Sequence, residues 1–410
     1  MSAIKNISAK QKLDLRGNPT LEISVELESG HSGVMSAPFT LGADSAVKKE
    51  DLLKDMDGIN QILFESLKGK DVRDQQGLDK TILNVNEKYG KSVLGNDAIA
   101  GVSIALAKAA SSYCQLPFYR YIGGANIKTT PIPLSTVLRG GVDVNNKLNI
   151  KEFMLVPVGF LTFGDSLDSS LEVFNKLGEI LEQRGISTSI QNGYISNLNG
   201  DEQALELICD AIDECGYIAG EHFFIGLNVA AAEWEIEHNM YRLPKKNEIL
   251  TSEQVGEYIF DLCQKYPIIS LEDPLGGEDF DGYMELTAQV SDVQIAGNSI
   301  FAASLSKLQK AIYRNIANAV VINSTDIRTL SEFMNLVEFA RQAGYTVIMS
   351  DRSIKKENSL IADIVFGLGI KQVKIGMPSK TNEFCKCKRF LEQEHFFDKR
   401  LHPISYWKYY

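Results

Sequence analysis

Residues 267–274 read PIISLEDP, a short apolar run that ends on two adjacent carboxylates, Glu272 and Asp273. A run of this length, with a proline on each side, indicates a buried β-strand rather than a helix. The stretch before it, 252–265, and the stretch 303–313 carry the apolar spacing of amphipathic helices. A buried strand between two such helices is typical of an α/β fold.

The same alternation of short apolar runs and helical stretches fills the chain after Pro131, with further helical patterns at 329–342 and 358–366. The apolar runs lie at 133–138, 153–157, 223–227, 267–271, 293–296, 319–322, 345–349 and 372–373. Eight runs joined by helical crossovers predict a closed parallel (β/α)8 barrel of the TIM type. An open, doubly wound sheet is the structural alternative.

Polar side chains follow the later runs. They are Asn228, Glu272 with Asp273, Asn298, Asn323, Asp351 to Ser353, and Lys374. In a parallel barrel the carboxyl ends of the strands meet at one mouth, where barrel enzymes carry their chemistry. Any strand can end on a polar residue, so the pattern predicts a polar pocket and not yet an active site.

The first part of the chain has a different pattern. Residues 4–13 and 21–27 read as strands with a turn at 17–19, and 44–124 is helical. Within it, 74–89 is amphipathic and 98–113 is apolar enough to be largely buried. We therefore expect an α+β domain at 1–125 and a barrel domain at 126–410.

Composition excludes several classes of protein. The net charge of −11 argues against general nucleic-acid binding, which needs a basic surface, although this acidity could also serve only solubility. The six cysteines are sparse and show no metal-binding spacing, so we expect reduced thiols. No run of eighteen apolar residues occurs, and the first residues lack the apolar segment of a secretory signal. We expect a soluble cytoplasmic protein without membrane partners, whether free or within a larger intracellular assembly.

Seven short motifs lie along the chain in a fixed order. They are DLRGNPTLE at 14–22, LGNDAIAGVS at 94–103, EFM at 152–154, SLEDP at 270–274, TLSE at 329–332, SDRS at 350–353 and QVKIG at 372–376. They resemble, in the same order, DSRGNPTVE, LGANAILGVS, EFM, SIEDP, TLSE, SHRS and QIKTG of the enolase (phosphopyruvate hydratase) family. This resemblance implies a β2α2(βα)6 barrel whose second strand is antiparallel, contrary to the all-parallel expectation above.

The resemblance also implies a chemistry. Family enolases dehydrate 2-phosphoglycerate to phosphoenolpyruvate with two Mg²⁺ ions. A lysine removes the carbon-bound proton, a glutamate helps to expel hydroxide, and three carboxylates hold the first metal ion. The proton next to a carboxylate is very weakly acidic, so the charged intermediate needs divalent cations beside it.

The metal positions carried over to this chain are Asn228, Glu272 and Asn298. Magnesium prefers anionic oxygen ligands, and two of these three side chains are neutral amides. The serine-rich lid motif of the family is replaced around 38–42, which puts the second metal ion in doubt. We therefore expect no cofactor, and Mg²⁺ only if the chain is an active enolase.

The catalytic positions are degenerate as well. The proton-abstracting lysine falls at Asn323, the acid–base glutamate at Gln191, and two active-site histidines at Asp143 and Asp351. An amide is no base at ordinary pH. Together with Glu152, these residues form a pocket in which we expect no functional catalytic residue.

Three retained residues, Arg352, Ser353 and Lys374, contact the phosphate and carboxylate of the substrate in the family. Here they are candidates for holding a small anion. Alternatively, the two cations only neutralise the carboxylates of the mouth, which are Glu152, Glu272, Asp273 and Asp351.

These losses predict an enolase-like protein without phosphopyruvate hydratase activity that serves as a structural or scaffold component of a protein assembly. The alternatives are an anion sensor or an enzyme of altered chemistry, and an active glycolytic enolase. The aromatic stretch 404–410 suits either an interface with a protein partner or packing on its own barrel. The family homodimer would bring Glu22 against Glu392, and two glutamates repel each other, so we do not expect it.

Overall fold

The computed structural model describes residues 1–13, 19–37, 49–89, 94–125, 127, 130–326, 328–350, 360–378, 381–395 and 407. The chain divides into two compact units. Unit 1 comprises 1–127, 323–339 and 351–368, and unit 2 comprises 128–322, 340–350 and 369–410. The expected domain boundary between residues 125 and 126 stays a prediction.

The helices and strands of the described chain follow one another in a mixed order. In sequence they are β1 (Ile4–Leu13), β2 (Pro19–Leu27), β3 (Ser32–Ala37), α1 (Lys49–Asp57), a π-helical turn (Gly58–Leu63), α2 (Phe64–Leu67), α3 (Gln75–Lys88), α4 (Asn96–Tyr113), α5 (Phe118–Gly123), β4 (Ile132–Arg139), β5 (Glu152–Pro157), α6 (Phe163–Gln183), β6 (Thr188–Ile190), β7 (Tyr194–Ser196), α7 (Asp201–Glu214), β8 (Phe223–Asn228), a 3-10 turn (Ala231–Glu233), β9 (Glu235–Glu237), β10 (Met240–Arg242), β11 (Ile249–Thr251), α8 (Ser252–Lys265), β12 (Ile268–Glu272), α9 (Phe280–Gln289), β13 (Gln294–Gly297), α10 (Leu305–Tyr313), β14 (Ala319–Asn323), a second 3-10 turn (Ser324–Asp326), α11 (Leu330–Gln342), β15 (Thr346–Ser350), α12 (Leu360–Gly367), β16 (Gln372–Gly376) and α13 (Thr381–Glu394).

Unit 1 contains an antiparallel sheet in the order β1-β2-β3, with α4 packed against β2 and β3. Helix α4 is buried from Ala98 to Ala107, because small and aliphatic side chains surround its axis. Its Ser103 hydroxyl accepts the N–H of Leu330, so this polar group is satisfied inside the unit. The expectations of an α+β first domain and of a largely buried helix are confirmed.

Eight strands of unit 2 form a closed barrel, in the order β4-β5-β8-β12-β13-β14-β15-β16, and β16 pairs with β4 to close it. All eight apolar runs predicted from the sequence are barrel strands. A closed barrel leaves no free edge among these strands, so the open doubly wound sheet is wrong. The hairpin of β6 and β7 attaches to β4, and β9, β10 and β11 form a separate small sheet.

The all-parallel prediction for the barrel is wrong at one strand. Strand β5 runs antiparallel to both β4 and β8, as the family resemblance implied. The physical reason lies in the connection: residues 140–151 contain no helix, and neighbouring strands joined without a helical crossover pair antiparallel. Because β5 is reversed, its first residue, Glu152, lies at the same barrel end as the last residues of the parallel strands.

Trp407 is buried in the end of the barrel opposite the mouth, with 3% of its surface exposed. It packs among Ile132 and Phe224 at the starts of β4 and β8, and Val156 at the end of β5. This part of the aromatic C-terminus therefore packs on its own barrel; the rest of 404–410 lies outside the described residues. Among the described helices, none has both the length and the apolar character needed to cross a membrane.

Candidate functional site

Three strand ends place charged and amide side chains side by side at the barrel mouth. Glu152 opens β5 and pairs in register with Asn228, the last residue of β8. Asn228 pairs in register with Glu272, the last residue of β12. Residues paired across neighbouring strands face the same side of a sheet, so these three side chains form a row inside the mouth.

Lys374 of β16 closes this row into an ion cluster. Its Nζ lies 2.5 Å from Glu272 Oε2 and 3.0 Å from Glu152 Oε2. The side chains of Lys374 and Glu272 are 10% and 3% exposed, so water screens their attraction little. An ammonium shared by a buried carboxylate and a partly buried one is the geometry of a residue that neutralises its neighbours.

The two amides at the mouth complete the hydrogen bonds of these carboxylates. Asn228 Nδ2 donates to Glu152 Oε2 at 2.7 Å, and Asn298 Nδ2 donates to Glu272 Oε1 at 3.1 Å. Each amide therefore supplies an N–H donor where a third or fourth carboxylate would have supplied only acceptors. Both oxygens of Glu272 are occupied, one by Lys374 and the other by Asn298.

The pKa values of the cluster show that its charges stabilise one another. Burial alone would raise the pKa of Glu152, but the charge of Lys374 and the hydrogen bond from Asn228 outweigh it and hold this pKa at about 2. Burial alone would lower the pKa of Lys374, but the two carboxylates outweigh it and raise it above its ordinary value. Glu152 and Lys374 are therefore both ionised at neutral pH.

Asp273 anchors the loop after β13 rather than joining the ion cluster. Its carboxylate accepts the N–H of Asn298 at 2.8 Å and the N–H of Ser299 at 3.0 Å, and the hydroxyl of Tyr283 lies 3.4 Å away. Burial, followed by the negative charge of Glu272, raises the pKa of Asp273 to about 6 although the backbone N–H groups oppose this.

The predicted residues Asp143 and Gln191 lie on the rim. Asp143, with half of its side chain exposed, lies 3.2 Å from Lys151, whose Nζ also contacts Glu233. Gln191 is exposed in the turn between β6 and β7, and Arg139 Nη1 donates to its backbone oxygen at 3.3 Å. Neither side chain contacts the ion cluster in the described residues.

Asn323 is the buried last residue of β14. Its backbone N–H and its side-chain Nδ2 both donate to Asp326 Oδ2, at 3.1 and 2.9 Å. The amide thus acts as a donor to a neighbouring carboxylate. Asp351, Arg352 and Ser353 lie outside the described residues, as does the segment 38–42.

Sequence reasoning missed two cations of the mouth, Arg139 and Lys151. Arg139 ends β4 and pairs in register with Glu152, and its charge helps to lower the pKa of that carboxyl. The signal was present, since Arg139 directly follows the run 133–138 just as the other polar residues follow theirs. Lys151 gave no such signal, because it precedes a strand that only the antiparallel arrangement brings to the mouth.

The three residues at the metal-binding positions of the family suit Mg²⁺ poorly. These residues are Asn228, Glu272 and Asn298, and together they carry one formal negative charge, that of Glu272. Both oxygens of Glu272 already accept hydrogen bonds. One neutral acceptor, Asn228 Oδ1, is buried without a hydrogen-bond partner among the described residues. Within that part of the chain no group of three or more His, Cys, Asp and Glu side chains is placed to hold a metal ion. A single neutral oxygen cannot replace the lost carboxylates.

A closed barrel with a reversed second strand and a lysine–carboxylate cluster at its mouth, accompanied by an α+β unit, defines a TIM-like barrel protein of the enolase type. Two family models match the chain: the enolase C-terminal TIM barrel domain at residues 127–400, and the enolase N-terminal domain at residues 4–122. The chain therefore belongs to the enolase family, and the resemblance found in its motifs is confirmed.

Proposed function

We propose that this enolase-family protein does not dehydrate 2-phosphoglycerate and acts instead as a structural or scaffold component of a protein assembly. The observation that supports this most strongly is the closed ion cluster of Lys374, Glu152 and Glu272, with Asn228 and Asn298 donating into it. The charges of the cluster are paired within the chain, which leaves little to attract a divalent cation.

The chemistry of the remaining positions supports the same proposal. Asn323, at the position of the base, donates to Asp326 and cannot accept a proton from carbon. Gln191, at the position of the acid–base glutamate, is exposed and has no carboxyl group. A general acid or base contributes roughly 10²–10⁴-fold each. Losing the base, the acid and the metal ion together therefore removes about 8 kcal/mol or more of barrier lowering, although such losses are not additive.

A turnover assay tests this proposal. The purified chain is incubated with 2-phosphoglycerate and excess Mg²⁺, and formation of phosphoenolpyruvate is followed. We expect no turnover above the uncatalysed background, and no difference between the wild type and the variant Lys374→Met. Turnover in the ordinary enzymatic range of about 1–10³ s⁻¹, abolished in Lys374→Met, would overturn the proposal.

Anion sensing remains the alternative function. Lys374 can contribute to it only weakly, because its charge is already shared between Glu152 and Glu272. Thermal unfolding with and without phosphoenolpyruvate separates the two functions. Stabilisation that disappears in Arg352→Gln would favour the sensor, and an unchanged melting temperature favours a purely structural role.

We also propose that protein partners replace the family homodimer. The repulsion between Glu22 and Glu392 is weaker than their bare charges suggest. Glu22 is flanked by Lys10 at 2.9 Å and by Lys12, and Glu392 lies 3.2 Å from Arg389. Each glutamate is thus paired within its own unit, and a second copy would present Glu392 to Glu22 where the family has an arginine, so the family contact offers no attraction. Light scattering after size exclusion should give the mass of a monomer; a dimer mass at micromolar concentration would contradict this.

A further inference from the structure

An open groove lies between helices α9 and α10 of unit 2. Its volume is about 500 Å³, and it is lined by Phe280, Gln309, Lys310, Tyr313 and Arg314. Phe280 is the first residue of α9, and the other four belong to the last turn of α10 and the residue that follows it.

The groove exposes aromatic surface. Tyr313 is 91% exposed, which is the highest value among the large apolar side chains of the described chain. Phe280 is half-buried, and Met284, one turn further along α9, is 43% exposed. Residues four apart lie on the same side of a helix, so Met284 extends the apolar side of the groove. An aromatic cluster of this kind typically marks an interaction site when it coincides with a groove.

The groove is basic, whereas the protein is acidic. Lys310 and Arg314 line it in a chain with a net charge of −11. No described carboxylate lies within ion-pair distance of Lys310. Arg314 approaches Asp281 only to 3.9 Å, with both side chains more than half exposed, and such a pair contributes little. Both cations are therefore available to a negatively charged partner.

We propose that the α9–α10 groove binds an acidic segment of a partner protein. An apolar side chain of that segment packs against Phe280 and Tyr313, and its carboxylates pair with Lys310 and Arg314. The net charge of −11 of the whole chain disfavours a strongly acidic partner in general, so such a partner gains most where two cations lie together. The groove shares no residue with the mouth, so this proposal holds whether or not the chain is an enzyme.

Selection from a random peptide library displayed on phage tests the proposal, with the full-length protein as bait. We expect the selected peptides to be acidic and to share an aromatic or aliphatic residue. Their affinity should fall by about tenfold or more for the double variant Lys310→Glu, Arg314→Glu, and also for Tyr313→Ser. Raising the salt concentration should weaken binding, because exposed charges are screened.

The matched control is the double variant Arg184→Glu, Lys265→Glu, which changes the net charge equally at half-exposed positions at the ends of α6 and α8. It should bind the selected peptides like the wild type. The substituted side chains are largely exposed, so we expect every variant to fold. Circular dichroism of each variant checks this. Failure of any peptide to be enriched would overturn the proposal. So would peptides that bind the Lys310→Glu, Arg314→Glu variant as tightly as the wild type.

Discussion

At the scale of single residues, Lys374 determines whether Glu272, which is buried, and Glu152, which is partly buried, can remain charged side by side at the mouth. Replacement by methionine keeps most of its volume but leaves Glu152 and Glu272 without their cation. Removing one partner of a buried ion cluster typically costs about 3–5 kcal/mol. We expect Lys374→Met to lower the free energy of unfolding, measured in urea, by that amount.

The control is Lys265→Met, which removes an exposed lysine 3.2 Å from Glu202, with both side chains more than half exposed. An exposed pair contributes about 0–1 kcal/mol, so this variant should be nearly as stable as the wild type. Equal effects of the two substitutions would show that water screens the charges of the mouth and that Glu152 and Glu272 do not depend on Lys374.

The lowered pKa of Glu152 predicts a pH dependence. Its stabilising contribution is fully present above the ordinary value of 4.5 and is lost as the pH falls toward the folded value of about 2. A shift of this size corresponds to about 3 kcal/mol, of which about 2 kcal/mol is lost by pH 3. The variant Glu152→Gln has no carboxyl to titrate, so its stability should fall less between about pH 5.5 and 3. If the stabilities of the wild type and of Glu152→Gln fell equally over this pH range, the lowered pKa of Glu152 would be refuted.

At this scale the sequence identified the residues but not their contacts. The positions of Asn228, Glu272 and Lys374 follow from the strand-end pattern together with the motifs. Which oxygen Lys374 contacts depends on three-dimensional register, which no local pattern encodes. Asp143 and Gln191 were assigned to the same pocket, yet the structure places them on the rim.

At the scale of elements, the close approach of β3 and α4 in unit 1 depends on Gly33. A Cβ built there would lie 2.2 Å from the backbone oxygen of Ala105 and 2.3 Å from the backbone nitrogen of Ala109. Backbone atoms cannot move aside as a flexible side chain would, so the strand and the helix must separate. We expect Gly33→Ala to destabilise by about 1–3 kcal/mol or more.

Gly256 in α8 provides the comparison, because a Cβ there meets nothing within 4 Å. Alanine is the better helix former, so Gly256→Ala should be neutral or stabilising by up to about 1 kcal/mol. Chemical denaturation of both variants measures the difference. A Gly33→Ala variant as stable as the wild type would mean that β3 and α4 can separate without loss of packing.

Trp407 allows a test of how the C-terminus contributes to the barrel. Deleting a buried tryptophan side chain costs about 3–5 kcal/mol, so Trp407→Ala should be strongly destabilised. Trp407→Phe should lose less, because it keeps an aromatic ring and Nε1 has no hydrogen-bond partner among the described residues. Thermal unfolding of the two variants measures this order. A Trp407→Ala variant as stable as the wild type would instead favour the interface role for the C-terminus.

At this scale, the positions of helices and strands were easier to predict than the direction in which each strand runs. Each barrel strand is predictable because a buried strand leaves a short apolar run, and α8 and α11 are predictable through their periodicity. Strand direction leaves no such local trace, which is why only the family motifs indicate that β5 is reversed. The hairpin of β6 and β7 was missed, since β6 is wholly exposed and has no apolar pattern.

At the scale of the whole molecule, the chain has the domain architecture of the enolase family. We propose that its mouth, where Lys374 pairs with Glu152 and Glu272, no longer collects divalent cations. Amide replacements of this kind preserve side-chain shape and remove negative charge, so they allow the barrel to fold without a metal ion. The acidity of the chain as a whole does not compensate, because distant exposed carboxylates are screened by salt.

Calorimetric titration of the purified protein with Mg²⁺, in the presence and absence of 2-phosphoglycerate, tests this account most directly. We predict no saturable binding heat at up to millimolar Mg²⁺, with or without the phosphoglycerate, because Lys374 and the two amides occupy the carboxylates of the mouth. Stoichiometric uptake of one or two Mg²⁺ ions per chain, tightened by 2-phosphoglycerate, would contradict it.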